Sequence, residues 1–129
     1  MTASTDLTTL TDFLDRYGVA LTAGDLPAIA GCYALPGLVV ADTYSFSFTS
    51  PAAVALSFVG AAPDYTEREL VAAHAEIEDV RPLAALLTMV AVRWEFLDSQ
   101  GRSVPGERYQ YLLRGTDDGP RICTVVRAG

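Results

Sequence analysis

Apolar residues early in the chain recur at helical spacing. Leu7, Leu10, Phe13, Leu14, Tyr17 and Leu21 stand three or four positions apart, which puts them on one stripe of an amphipathic helix and leaves Asp12, Asp15 and Arg16 facing water. Gly24 supplies a left-handed stop. Asp25 then reads as the cap of a second helix with Pro27 in its first turn and Leu26, Ile29, Ala30 and Tyr33 turned inward, ended by Pro36-Gly37. The run from Leu38 to Ala41 is too short for a helix, and its valines favour a strand that finishes at Asp42. Tyr44, Phe46 and Phe48 alternate with Ser45, Ser47 and Thr49, as in a second short strand. Ser50-Pro51 is an N-cap followed by a first-turn proline, opening a third helix that reaches Val59 and closes at Gly60.

From residue 66 onward the period changes to two. Strands are expected over about 67–80, 85–97, 104–114 and 120–127, separated by Arg81-Pro82, by Asp98 to Gly101 and by Gly115 to Gly119. Such turn-rich gaps make an antiparallel meander, so the fold class is α+β with the helices on one face of the sheet. Leu86, Val90, Val92, Trp94 and Phe96 form one apolar row, yet Leu87, Met89 and Ala91 opposite them are apolar too. An antiparallel sheet covered only by its own helices shows a polar outer row. A homodimer through the outer sheet face is therefore expected, a monomer with an apolar outer surface being the alternative. No repeat or linker interrupts the pattern, and residues 1–129 read as one domain.

Charge narrows the partners. A formal charge of −7, from 16 acidic residues against nine arginines, repels phosphate backbones and anionic lipid, so nucleic acid and membrane are not expected as partners. No apolar run approaches the roughly 20 residues needed to cross a bilayer. The first residues, Met1 to Asp6, lack the features of a secretory signal, and a cytoplasmic location is expected. The chain has no lysine and no asparagine, which excludes a lysine Schiff base, a P-loop lysine and N-glycosylation. Cys32 and Cys123 lie far apart beside a single histidine, so no zinc or iron–sulfur spacing can be assembled. Both read as small core residues, with a disulfide or a reactive thiol as the other possibilities. No metal and no cofactor are expected.

One string is more specific. Arg16-Tyr17-Gly18-Val19-Ala20-Leu21-Thr22-Ala23-Gly24-Asp25-Leu26-Pro27-Ala28-Ile29 resembles the first-helix region of ketosteroid isomerases and of the wider SnoaL-like, nuclear transport factor 2-like superfamily. Tyr33-Ala34, the strand from Leu38 to Asp42 and the turn Asp118-Gly119-Pro120-Arg121-Ile122 follow in the superfamily's order, and the resemblance spans about residues 6–127. It implies a cone-shaped fold in which three N-terminal helices pack on a curved antiparallel sheet, mixed at its edge, around an internal pocket. It leaves function open, because the superfamily includes isomerases, cyclases, hydrolases, dehydratases and non-enzymatic binding domains.

By the same resemblance, Tyr17 takes the position that donates a hydrogen bond to a developing enolate, and Asp42 that of the proton-shuttling carboxylate. A carboxylate at the lip of an apolar cavity loses hydration and gains basicity, and a buried phenol supplies one directed donor. The pattern departs from the isomerases where a second, protonated acid would sit, since Tyr109 or Gln110 falls there. Tyr33, Phe46, Phe58, Trp94, Tyr109 and Tyr111 are expected as pocket walls for a small apolar or aromatic molecule. His74, the only histidine, shares strand parity with Leu70 and Ala72, so it is either a pocket partner for Asp42 or a residue of the outer face. Two functional readings remain. One is a cofactor-independent acid/base enzyme of isomerase, cyclase or hydrolase type. The other is a non-catalytic ligand-binding or dimerisation module of the same fold.

Overall fold

The structure, a computed structural model, describes residues 6–59 and 67–128. Helix α1 spans Leu7–Ala23. Its N-cap Asp6 accepts a hydrogen bond from the Thr9 amide at 2.8 Å, it ends at Gly24 in the left-handed region, and its apolar stripe is buried from Leu10 to Leu21, with Leu7 left exposed. Helix α2, Leu26–Gly31, is capped by Asp25 and carries a proline in its first turn; α3, Pro51–Ser57, is capped by Ser50, whose Oγ accepts from the Ala53 amide at 3.1 Å. The third helix is thus slightly shorter than its pattern predicts, and the expected stop at Gly60 lies outside the described residues. No described helix is long and apolar enough to cross a membrane.

Among the described residues six strands form one mixed sheet: β1 Tyr33–Val40, β2 Ser45–Phe48, β3 Leu70–Ala84, β4 Leu87–Asp98, β5 Ser103–Thr116 and β6 Gly119–Arg127. Their order is β2-β1-β6-β5-β4-β3, with β1 and β6 parallel and every other pairing antiparallel. The α+β architecture and the late meander agree with the sequence pattern.

Two details differ. The second helix ends at Gly31, so Tyr33 opens a strand instead of closing a helix, and Pro36-Gly37 lies within that strand. The proline is tolerated because the β1–β6 register jumps from Tyr33↔Ile122 to Leu38↔Thr124, leaving residues 34–37 in an irregular stretch where a missing N–H breaks no ladder bond. Leu86 sits in the β3–β4 turn, half exposed, and Thr88 takes its expected place in the buried row with Val90, Val92, Trp94 and Phe96.

Cross-strand register fixes which residues share a face. Val39, Val125, Tyr111, Val90 and Val80 form one inner row, beneath the helices; Leu38, Thr124, Leu112, Met89 and Arg81 form the neighbouring outer row. The core lies between the inner face and α1, centred on Leu10, Leu14, Val90, Val92, Leu113 and Ile122. Cys123 is buried, Cys32 is partly so, and neither is in a disulfide.

Candidate functional site

The curved inner face, α1, α3 and the β1–β2 hairpin enclose a cavity of about 440 Å³. That volume is within the usual range of small-molecule sites. Among the described residues every aromatic side chain except Phe13 lines it.

Its deep end is built from four buried rings, each supplied by a different element. Tyr17 comes from the apolar stripe of α1, Tyr33 from the first position of β1, Trp94 from β4 and Tyr111 from β5. Tyr17 meets Tyr33 and Tyr111 edge-on, with ring centroids 6.0 and 6.1 Å apart, the offset arrangement that aromatic quadrupoles favour. The Tyr17 and Tyr33 hydroxyls share a hydrogen bond at 2.8 Å, and the Trp94 Nε1–H donates to the Tyr111 hydroxyl at 2.8 Å. Burial, reinforced by the neighbouring Tyr33 and Tyr111, pushes the Tyr17 phenol well above its ordinary range, and burial raises Tyr33 as well. Both are neutral donors at physiological pH. Two hydroxyls carry two protons and their mutual bond uses one, so the pair retains one O–H for another acceptor.

The rim is polar. Glu107 accepts from the Tyr109 hydroxyl at 2.8 Å through Oε2 and from Arg127 Nη2 through Oε1, and Arg68 also lines the cavity. A β-bulge aims Glu107 there. The β4–β5 register passes from Arg93↔Arg108 to Glu95↔Pro105, so Gly106 and Glu107 together oppose Trp94. Only glycine fits at the first of these positions, because a Cβ on Gly106 would come within 2.7 Å of both the Trp94 carbonyl oxygen and the Phe96 ring.

Of the residues singled out in the sequence, Tyr17, Tyr33, Phe46, Phe58, Trp94, Tyr109 and Tyr111 all line this cavity. Asp42 does not. It is exposed in the two-residue turn of the β1–β2 hairpin, where the Ala41 amide donates to the Tyr44 carbonyl at 2.8 Å, and it is outside the cavity lining. The expected pairing of Asp42 with Tyr17 in one chamber is therefore corrected: the strand ends before Asp42, and the chain reverses there. His74 is corrected likewise, since β3 parity turns it to the outer face, with its Nε2 3.7 Å from Glu76 Oε2. Between the two candidates for the missing acid position, Tyr109 faces the cavity and Gln110 pairs with Ala91 and Val126 on the outer face.

Glu107, Arg127 and Arg68 are not among the residues that the sequence pattern singles out. Parity carried a signal for two of them: Glu107 lies two residues before Tyr109 on the same inward row, and Arg127 lies two after Val125 and pairs directly with Tyr109. Among the described residues no group of three or more His, Cys, Asp or Glu is placed to hold a metal ion.

Comparison with known proteins places this geometry in context. The family described as "NTF2-like protein (DUF6841)" matches residues 8–129. An NTF2-like protein of unknown function from Shewanella oneidensis MR-1 is similar at 16% identity and a TM-score of 0.69, over 95% of this chain and 98% of that one. A ketosteroid isomerase-like protein from Erwinia carotovora atroseptica SCRI1043 is similar at 18% identity and a TM-score of 0.62, over 95% of each chain. Aln2 from a Streptomyces species is similar at 14% identity and a TM-score of 0.66, over 94% of this chain and 88% of that one. Likeness at such identities concerns the fold alone. The search of curated proteins finds no match.

Proposed function

The chain belongs to the NTF2-like family DUF6841, and from that premise we propose that its chamber binds a flat, largely apolar small molecule whose oxygen acceptor meets the Tyr17–Tyr33 hydroxyl pair. The observation that carries this reading is the gathering of almost every described aromatic ring around one cavity, with a spare phenolic donor at its buried end. Aromatic walls favour planar ligands, and a few directed polar groups among them fix orientation.

Binding is favoured over turnover by the state of the carboxylates. Asp42 is on the hairpin turn, and Glu107, the only described carboxylate lining the cavity, already accepts hydrogen bonds on both oxygens. Each of its oxygens is thus already committed to a protein donor.

Trp94 is the only tryptophan and lies in the chamber wall, so its emission reports occupancy. Titration with aryl and polycyclic ketones is expected to change that emission saturably, and Tyr17→Phe to weaken the ketones by about fivefold. Asp42→Asn should leave binding within about twofold, as for a surface residue away from the contact. No saturable change and no rise in melting temperature with any such ketone would remove the reading.

We also propose that a second copy covers the outer sheet face. Leu38, Met89, Ala91, Leu112 and Val126 form its apolar centre, and charged residues surround them. Met89→Glu is expected to halve the mass seen in sedimentation equilibrium at micromolar concentration; a wild-type chain that sediments as a monomer would end this part of the proposal.

A further inference from the structure

The chamber differs in charge from the chain that encloses it. The whole carries 16 acidic residues against nine arginines, yet among the described residues the cavity is lined by two arginines, Arg68 and Arg127, and one acid, Glu107. All three belong to the rim, while the four deepest rings are neutral. The other described arginines lie away from the chamber, on the outer face, along loops or, for Arg16, on the exposed side of α1.

We infer that the ligand is an aromatic acid: a flat ring system held between the aromatic walls, with a carboxylate at the rim facing Arg127 and Arg68. The inference rests on the chamber being a ligand site. Arg127 gives Glu107 one of its five N–H donors, and its side chain remains 46% exposed, so further donors of its planar fork face solvent at the opening. A carboxylate matches that fork in shape and charge. Glu107 has a different part in this arrangement. Held by the bulge and by Tyr109, it fixes the direction of the guanidinium and offsets part of the rim's positive charge. The net charge of −7 opposes an anion only weakly here, because charges more than about 8–10 Å from the rim are screened at physiological salt.

The test compares 6-hydroxy-2-naphthoate with 6-hydroxy-2-naphthamide by isothermal titration calorimetry on the full chain. The acid is expected to bind about fivefold to tenfold more tightly than the amide at low salt. That preference should shrink as sodium chloride is raised. Arg127→Gln should lower the acid's affinity several-fold more than the amide's. Glu107→Gln, which removes the competing carboxylate, should raise the acid's advantage, and it supplies an independent arm if the arginine variant folds poorly. Equal or tighter binding of the amide overturns the acid inference and leaves the chamber reading intact. Binding of neither compound, together with silence of Trp94 toward the ketones, overturns both.

Discussion

Where the inner face of the sheet carries Trp94, Tyr111 and Val90, the outer face of the same strands carries Glu95, Leu112 and Met89. Every described ring but Phe13 gathers at the inner chamber, whereas the outer face has an aliphatic centre with a charged border. Alternation alone would make one side apolar and the other polar. Here both sides are apolar at their centres, and the kind of apolar residue separates their uses. Rings offer planar walls and hydroxyl tips suited to a small guest, and aliphatic side chains suit interlocking with another protein surface.

The largest way to break this contrast is Trp94→Ala. It removes a buried ring and its hydrogen bond to Tyr111, and is expected to cost about 3–5 kcal/mol in denaturant unfolding. Gly106→Ala comes next, at about 1–3 kcal/mol, because the new Cβ meets the backbone of β4 and the bulge that turns Glu107 inward must shift. A stability measured as unchanged would mean the bulge relaxes freely.

Tyr33→Phe leaves the Tyr17 hydroxyl without its partner and should cost about 1–2 kcal/mol. The same pair predicts an alkaline limit. Both phenols hold their protons more tightly folded than unfolded, so the stability they contribute is complete below the ordinary phenol value of 10.0 and declines as pH rises above it. Chemical denaturation at pH 8 and pH 11 checks the sign, and the loss should be smaller in Tyr33→Phe. The smallest effect is expected outside: Arg108→Ala breaks a solvent-exposed pair with Glu78 and should change stability by about 1 kcal/mol or less.

The sequence disclosed what depends on period and caps. The stripe from Leu10 to Leu21, the caps Asp25 and Ser50, and the four late strands follow from local spacing, except that β3 runs on through the expected turn at Arg81-Pro82. It disclosed less where tertiary pairing overrides local signals. Pro36-Gly37 has the composition of a helix stop, but the irregular β1–β6 register lets both residues lie within a strand. Asp42 has the look of a functional strand end, and only the hairpin shows that it turns the chain. The inward placement of Glu107 is legible from its parity with Tyr109 and Tyr111, yet the bulge that secures it depends on the fit of Gly106 against β4, which no linear pattern records.

The parallel pairing of β1 with β6 bears on how the chain can be made. β6 is the last strand in chain order but the third across the sheet, wedged between β1 and β5. Until residues 119–127 leave the ribosome, the β1–β2 hairpin and the β3–β5 meander are two separate ribbons with no edge in common. The chamber they share is therefore completed only once β6 is available, and a nascent chain arrested before Gly119 would present the unpaired edges of β1 and β5, besides the outer edges of β2 and β3, to chaperones or to its neighbours on a polysome.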